Sequence, residues 1–467
     1  MKYFKFIILF VITLFITMWV LFLKPQPKNI YLKQAPIWIR GEIQENFSSN
    51  LPLLIINTKK DRVHHSSASI FEMFIISPNA NNKSHLKMPV SFDGNVSIQV
   101  RGSSSLQFPK KQYKFTTLNK EGKKQDVSLL GMPKEHKWIL HAPYSDKTLM
   151  RNYLAYTKTR EINKNKYYAV RSHFVEVLQF TEGKYNYEGV YVLMEKIKRD
   201  KQRINIKKTK SHKISNGYIV KLDKDVPDNE YLKYKENKKF LYEYPNILKL
   251  NSSQKLYISE YLKDFQKALY TDDFNITSSP NYYGRWIDID SFIVHFLSRE
   301  FFLDADTWMF SEYIHKDQHQ KLFLSAVWDF NSGMGNDNYN YQGNFELFAY
   351  KKFVDGAPYT ISAWIQRLMS DPVFHQKVKE KWILLRKGIW SDKEMMAFID
   401  ATAHRLKEPA KRNFQKWKRV LGRFVWPNRK TCTENGKRIY CKTFESAVEY
   451  DLKAWLLLRA NWIDKNL

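Results

Sequence analysis

Two hydrophobic periodicities divide this chain, and their order constrains its fold more than any single motif. The first half is rich in short strand-like segments. Val96, Ile98 and Val100 alternate with polar neighbours until Arg101-Gly102-Ser103-Ser104-Ser105 breaks the pattern. Strand patterns recur at residues 111–115, 174–180, 187–193 and 217–222, and Gly183 marks a hairpin turn between the second and third of these. From about residue 251 the spacing becomes helical. Ile289, Phe292, Ile293, Phe296 and Leu297 form one stripe, with Asp288 and Asp290 at its start. Residues 361–369, 373–390 and 447–462 carry helical patterns too. Strands first and helices second predict an α+β fold with two lobes. We expect a β-rich N-lobe over residues 38–250 and a mainly helical C-lobe over residues 251–467.

The first residues set the expected compartment. Residues 6–23 are an uncharged apolar run, preceded by Lys2 and Lys5. Such a run is long enough to cross a bilayer as a helix. No small-residue cleavage site follows; Lys24-Pro25-Gln26-Pro27 comes directly after it. Residues 1–23 are therefore expected to be one transmembrane helix acting as a signal anchor, with 24–37 a linker. A cleaved signal peptide is the rival reading. The body is expected outside the cytoplasm, with the membrane as a partner through the helix. The only cysteines, Cys432 and Cys441, flank a polar, turn-prone stretch. They suit a small hairpin closed by a disulfide, with two free thiols as the alternative.

Composition narrows the function. Hydrophobic residues make up 43% of the 467-residue chain, enough for a large core, which argues against disorder as the main state. No fixed-period repeat marks a solenoid. The formal charge of +29 favours acidic partners without naming one. Its densest stretch is Lys196, Lys198, Arg199, Lys201, Arg203, Lys207, Lys208, Lys210 and Lys213. Runs of this kind usually form a solvated face, and no compact nucleic-acid-binding module accompanies it, so no specific nucleic acid is expected.

One constellation carries chemistry. Asp304-Ala305-Asp306 precedes a strand-like segment at residues 309–315. A polar connector, Lys316-Asp317-Gln318-His319-Gln320, leads into a second at 322–328, which ends on Asp329-Phe330-Asn331-Ser332-Gly333. In an antiparallel hairpin the start of one strand meets the end of the other. Asp306 and Asp329 should therefore approach each other, joined by Asp304 and Asn331. Clustered oxygen donors suit a divalent cation, and a second carboxylate can orient an attacking hydroxyl. Acidic residues at hairpin ends also serve as plain turn and cap residues.

Several of these segments, in order, resemble the CotH kinase family, a group of atypical protein kinases. They are Arg101-Gly102-Ser103-Ser104 with Pro109-Lys110-Lys111-Gln112-Tyr113, then Asp146-Lys147-Thr148-Leu149-Met150-Arg151-Asn152, then Glu188-Gly189-Val190-Tyr191-Val192-Leu193-Met194-Glu195. Asp288-Ile289-Asp290-Ser291-Phe292, the Asp306 segment and Trp328-Asp329-Phe330-Asn331 follow. The resemblance implies an atypical protein-kinase-like two-lobed fold that uses ATP with Mg²⁺ or Mn²⁺. It implies transfer of the γ-phosphate to serine hydroxyls of secreted or envelope proteins. Carried over, Asp306 is the catalytic aspartate, and Asp329 with Asn331 holds metal. Arg101, Lys111, Arg151 and Glu195 serve the nucleotide, with Glu195 positioning Lys111. The family often has a second acid where this chain has Asn331, which leaves a non-catalytic surface or coat-assembly scaffold as the alternative.

Overall fold

Seven strands of the first half close on themselves. They are β1 (Leu53–Lys59), β2 (Ser69–Ile76), β3 (Phe92–Arg101), β4 (Gln112–Leu118), β5 (Lys137–His141), β6 (Ser172–Thr181) and β7 (Lys184–Glu195). The order around the barrel is β1-β2-β3-β4-β5-β7-β6. Antiparallel neighbours make every joint except the closing one, where β6 runs parallel to β1. The computed structural model describes residues 47–163, 166–223, 231–235, 238–352 and 361–467. The expected anchor and linker lie outside them. Among the described residues no helix is long and apolar enough to cross a membrane.

Side-chain alternation decides what fills the barrel. Val96, Ile98 and Val100 point inward with Leu54, Ile56, Phe115, Trp138, Val175 and Leu193. The outer faces of β6 and β7 are covered as well. Phe174, Val190, Val192 and Met194 join the large core shared with the helices. Burial on both faces explains why these two strands read as nearly continuous apolar runs.

A second sheet follows, built from β8 (Tyr218–Leu222), β9 (Tyr231–Lys235), β10 (Lys238–Tyr244), β11 (Glu312–Lys316) and β12 (Leu322–Leu324). Its order is β9-β10-β8-β11-β12, so the sheet joins strands from both sides of residue 250. The β11–β12 hairpin pairs Ile314 with Leu324 and Lys316 with Leu322. It is shorter than the sequence pattern suggests. The Asp306 carbonyl accepts the N–H groups of Met309 and Phe310, which coils the chain before β11. Beyond β12, Arg299 donates to the Trp328 carbonyl at 3.0 Å and draws it away from the sheet.

The longer helices among the described residues are α1 (Arg151–Asn163), α2 (Ser252–Leu269), α3 (Ile289–Phe302), α4 (Ile361–Met369), α5 (Pro372–Arg386), α6 (Asp392–Lys416) and α7 (Ala454–Asn466). Their starts follow capping chemistry. Asn251 and Gln254 form a reciprocal box, Asp288 accepts the Ser291 N–H, and Asp371 precedes Pro372. The expected helix from residue 447 begins as a π-helix, Ala447–Lys453, before α7. Cys432 and Cys441 are bonded across the small hairpin of β13 (Cys432–Glu434) and β14 (Lys437–Ile439).

Candidate functional site

A cavity of about 260 Å³ opens where one end of the barrel meets the second sheet. The barrel supplies Arg101, Gln112 and His141, which the strand register places side by side. The loop Gly102-Ser103-Ser104-Ser105 continues from Arg101 along the wall. Gly102 has φ of 129°, a conformation that side-chain-bearing residues rarely adopt. Asn152 and Tyr156 come from α1, Lys221 from β8 with Asp223 just after it. Asp304 and Asp306 come from the turn after α3, and Asp329, Asn331 and Ser332 from the segment after β12.

The Asp329 segment is held at several points. Its backbone is left-handed at Asp329, φ 64°. The Asp329 N–H donates to the Tyr156 hydroxyl at 3.1 Å, and the Phe330 N–H to Asn152 Oδ1 at 2.6 Å. Arg299, itself paired with buried Glu312 at 2.8 Å, holds the Trp328 carbonyl. Phe330 is fully buried, with Tyr156, Phe302 and the Arg299 guanidinium against its ring. Such multiple pinning sustains an unfavourable backbone at a site.

The two aspartate segments also grip each other. Asp304 accepts the Asp306 N–H at 2.9 Å and the Ser332 hydroxyl at 2.7 Å. A Cβ on Gly333 would lie 2.9 Å from the Phe302 carbonyl, so only glycine allows this approach. Asp306 and Asp329 thus stand on the wall of one cavity, and the negative charge of Asp306 acts on Asp329.

Four carboxylates face two cations here, and the electrostatics follow. Burial first, then the charge of Asp306, holds Asp304 well above the usual carboxylate range. Enclosure by the cavity walls pushes Asp329 up to about 6; Asp306 and Asp223 add to this, while Arg101 and Arg299 oppose it. The Asp329 side chain is nonetheless open to water in the cavity, which softens the burial contribution. Burial drives His141 down to about 3, so its ring is neutral. It accepts from Asn152 at Nε2 and donates from Nδ1 to Gln112, each at 3.0 Å.

The residues assigned to the nucleotide by resemblance separate into two groups. Arg101 lines the cavity, and Asn331 lines it with Asp329. Lys111, Arg151 and Glu195 do not line it. The expected Lys111–Glu195 pair is not made. Lys111 donates to the Leu106 carbonyl at 2.6 Å, and fully buried Glu195 pairs with Arg171 at 3.1 Å. The register explains this: Glu195 lies opposite Trp138, at the other end of β5 from His141. Arg151 is fully buried, paired with Asp146 and, at 3.0 Å, with Asp451. Its Nε donates to the Gly333 carbonyl at 3.0 Å, so it supports the Asp329 segment from behind.

Lys221 and Asp223 are cavity residues that sequence reasoning did not single out. They form a 2.9 Å ion pair at the end of the strand expected over 217–222. A lysine and an aspartate beside the last strand residue were the available signal. The Asp-x-Thr-x-x-Arg-Asn element also resolves into parts. Asp146 caps α1 through the N–H groups of Thr148 and Arg151, Arg151 pairs with it, and Asn152 reaches Phe330.

Oxygen donors under mutual repulsion suit a divalent cation, whose charge relieves that repulsion. Mg²⁺ commonly takes one or two protein carboxylates and fills its remaining positions with phosphate oxygens and water. Asp329 and Asn331 fit that role, with Asp304 behind them. Among the described residues, the acidic group whose ligand atoms all lie within 4.8 Å of one another is Asp126, Glu135 and His136, outside this cavity. Arg101, Lys221 and the serine loop suit phosphate oxygens.

A family model described as CotH kinase protein matches residues 98–463. That span holds every cavity residue named above. No curated protein matches the chain.

Proposed function

The chain belongs to the CotH kinase family, and on that premise we propose that it is an extracytoplasmic protein kinase. It transfers the γ-phosphate of ATP to serine hydroxyls of secreted or envelope proteins. The observation that carries this reading is that Asp306 and Asp329 line one cavity together with Arg101 and the serine loop. Asp306 orients the attacking hydroxyl and receives its proton. Arg101 and Lys221 steady the phosphate oxygens, and the main-chain grip on residues 328–330 fixes the direction of the Asp329 carboxylate. Asp329 and Asn331 would hold Mg²⁺ or Mn²⁺, which supplies neutralisation of charge on the transferring group. Anchoring by residues 1–23 would place this chemistry at the outer face of a membrane.

The amide at Asn331 favours a second reading, an assembly scaffold that keeps the fold and not the transfer. One assay separates the two. Full-length protein is incubated with γ-labelled ATP, Mg²⁺ or Mn²⁺ and envelope extract. Labelled phosphoserine in wild type, lost in Asp306→Asn and Asp329→Ala variants that stay folded, supports the kinase. Absence of label from wild type under both metals, with assembly intact in both variants, supports the scaffold.

A further inference from the structure

A second cavity, of about 730 Å³, shares no lining residue with the first. It lies among the end of α1, the start of β6, the loop around residues 201–206 and the β11–β12 hairpin. Five cationic side chains line it: Arg160, Lys166, Arg171, Lys201 and Arg203. Two carboxylates, Asp288 and Asp317, share the lining, and Lys166 pairs with Asp290 at 2.8 Å, so the excess lies with the three arginines and Lys201. Asp288 accepts from the Tyr167 hydroxyl at 2.6 Å and the Ser291 N–H at 2.8 Å. Asp317 accepts the N–H groups of Lys207 and Gln318, each at 2.8 Å.

The arginines share a single counter-charge. Glu195 pairs with Arg171 at 3.1 Å and with Arg203 at 3.6 Å. Arg203 is buried, and its Nε and Nη2 find no hydrogen-bond partner among the described residues. Arg160 has no ion pair among the described residues; burial and the neighbouring Arg171 charge hold its pKa below the usual arginine value. At the Glu195 end of the cavity three guanidinium groups face one carboxylate, a local excess of about two positive charges. A phosphate monoester carries about −1.5 to −2 at neutral pH and accepts forked guanidinium donors. A lone carboxylate supplies too little charge.

We propose that this cavity is a second ligand site, one that takes a phosphate monoester. The proposal does not rest on the kinase reading, because none of these residues touches the Asp306–Asp329 cavity. It also gives part of the basic run a definite role. Lys201 and Arg203 belong to the site, whereas Lys196 and Lys198 are occupied by Glu243 and Glu135.

Calorimetric titration of the full chain tests it, with inorganic phosphate, a phosphoserine pentapeptide and its unphosphorylated form as probes. Phosphate and phosphopeptide should bind competitively and the unphosphorylated peptide should not. Arg160→Gln with Lys201→Gln, at a half-buried and an exposed position, should weaken binding at least tenfold while the circular dichroism spectrum stays unchanged. Asp306→Asn should leave the affinity as it is. Binding of phosphate without binding of the phosphopeptide would overturn the monoester as the occupant. Equal binding by the double variant, loss in Asp306→Asn, or no binding by either phosphate probe would overturn the proposal.

Discussion

Asn152 accepts the Phe330 N–H at 2.6 Å and so fixes the main chain one residue beyond Asp329. The same amide donates to His141, and His141 to Gln112, which ties the Asp329 segment to two barrel strands. Asn152→Ala leaves the buried Phe330 N–H without an acceptor. The expected cost is about 1–3 kcal/mol of stability. Urea unfolding checks the loss. If the segment also orients metal, phosphate transfer should fall further than the folded fraction does.

Arg151 separates a structural role from a nucleotide-binding one. Its removal strands Asp146 and Asp451 in the interior. Arg151→Met should therefore cost about 3–5 kcal/mol, as breaking buried pairs does. At a temperature where the variant is still folded, KM for ATP should stay within about twofold while kcat falls, because Gly333 loses its support. A large rise in KM with stability unchanged would mark Arg151 as a nucleotide contact instead.

Much of the architecture was legible from periodicity. The strand over Val96–Val100 follows a period-two pattern, the Gly183 hairpin shows as two apolar runs joined at a turn glycine, and α3 follows its stripe and its Asp288 cap. The barrel closure was not legible. The β1–β6 joint is parallel and non-local, and β1 is so fully buried that it shows no alternation. The hairpin argument placed Asp306 and Asp329 near each other correctly in direction, although β12 ends at Leu324 and Arg299, not strand pairing, directs residues 328–330. The Lys111–Glu195 pairing failed for a reason that sequence hides. Lys111 precedes β4 and Glu195 ends β7, with β5 between those strands, and the register sets the two residues at opposite ends of β5; it is Lys110, not Lys111, that is buried.

Metal binding should weaken in mild acid. The walls and the neighbouring carboxylates place Asp329 at about 6, above the ordinary aspartate value. A proton then competes with the cation below that pH. Mn²⁺ affinity, followed by calorimetry, should be flat from pH 8 to 7 and fall about tenfold per unit below 6. The effect on folding has the opposite sign. The native state binds the extra proton between the unfolded value and 6, so this group favours folding at low pH and loses that contribution as pH rises through 6. An affinity unchanged between pH 7 and 5 would mean that no metal ligand titrates near 6, so that Asp329 is either ionised throughout or not a ligand.

Lys110 gives a second pH signature, away from the cavity. It is 1% exposed and donates to the Val190 carbonyl at 2.5 Å and to Asn413 Oδ1 at 2.8 Å, joining β7 to α6. The Tyr191 ring lies 4.8 Å away, and no carboxylate forms an ion pair with it among the described residues. Burial drives its pKa down to about 7, with Glu188 opposing weakly. The unfolded chain holds its proton to the ordinary lysine value, so between 7 and about 10 the unfolded state binds more protons than the native one. Stability should rise with pH across that window, by up to about 1.4 kcal/mol per unit from this group. Lys110→Met removes the buried charge at similar length. Its urea midpoint should exceed that of wild type at pH 7, and its slope against pH should be flatter by the Lys110 contribution. Equal slopes for the two proteins would mean that Lys110 stays charged, with the Asn413 and Val190 oxygens sufficient to hold it.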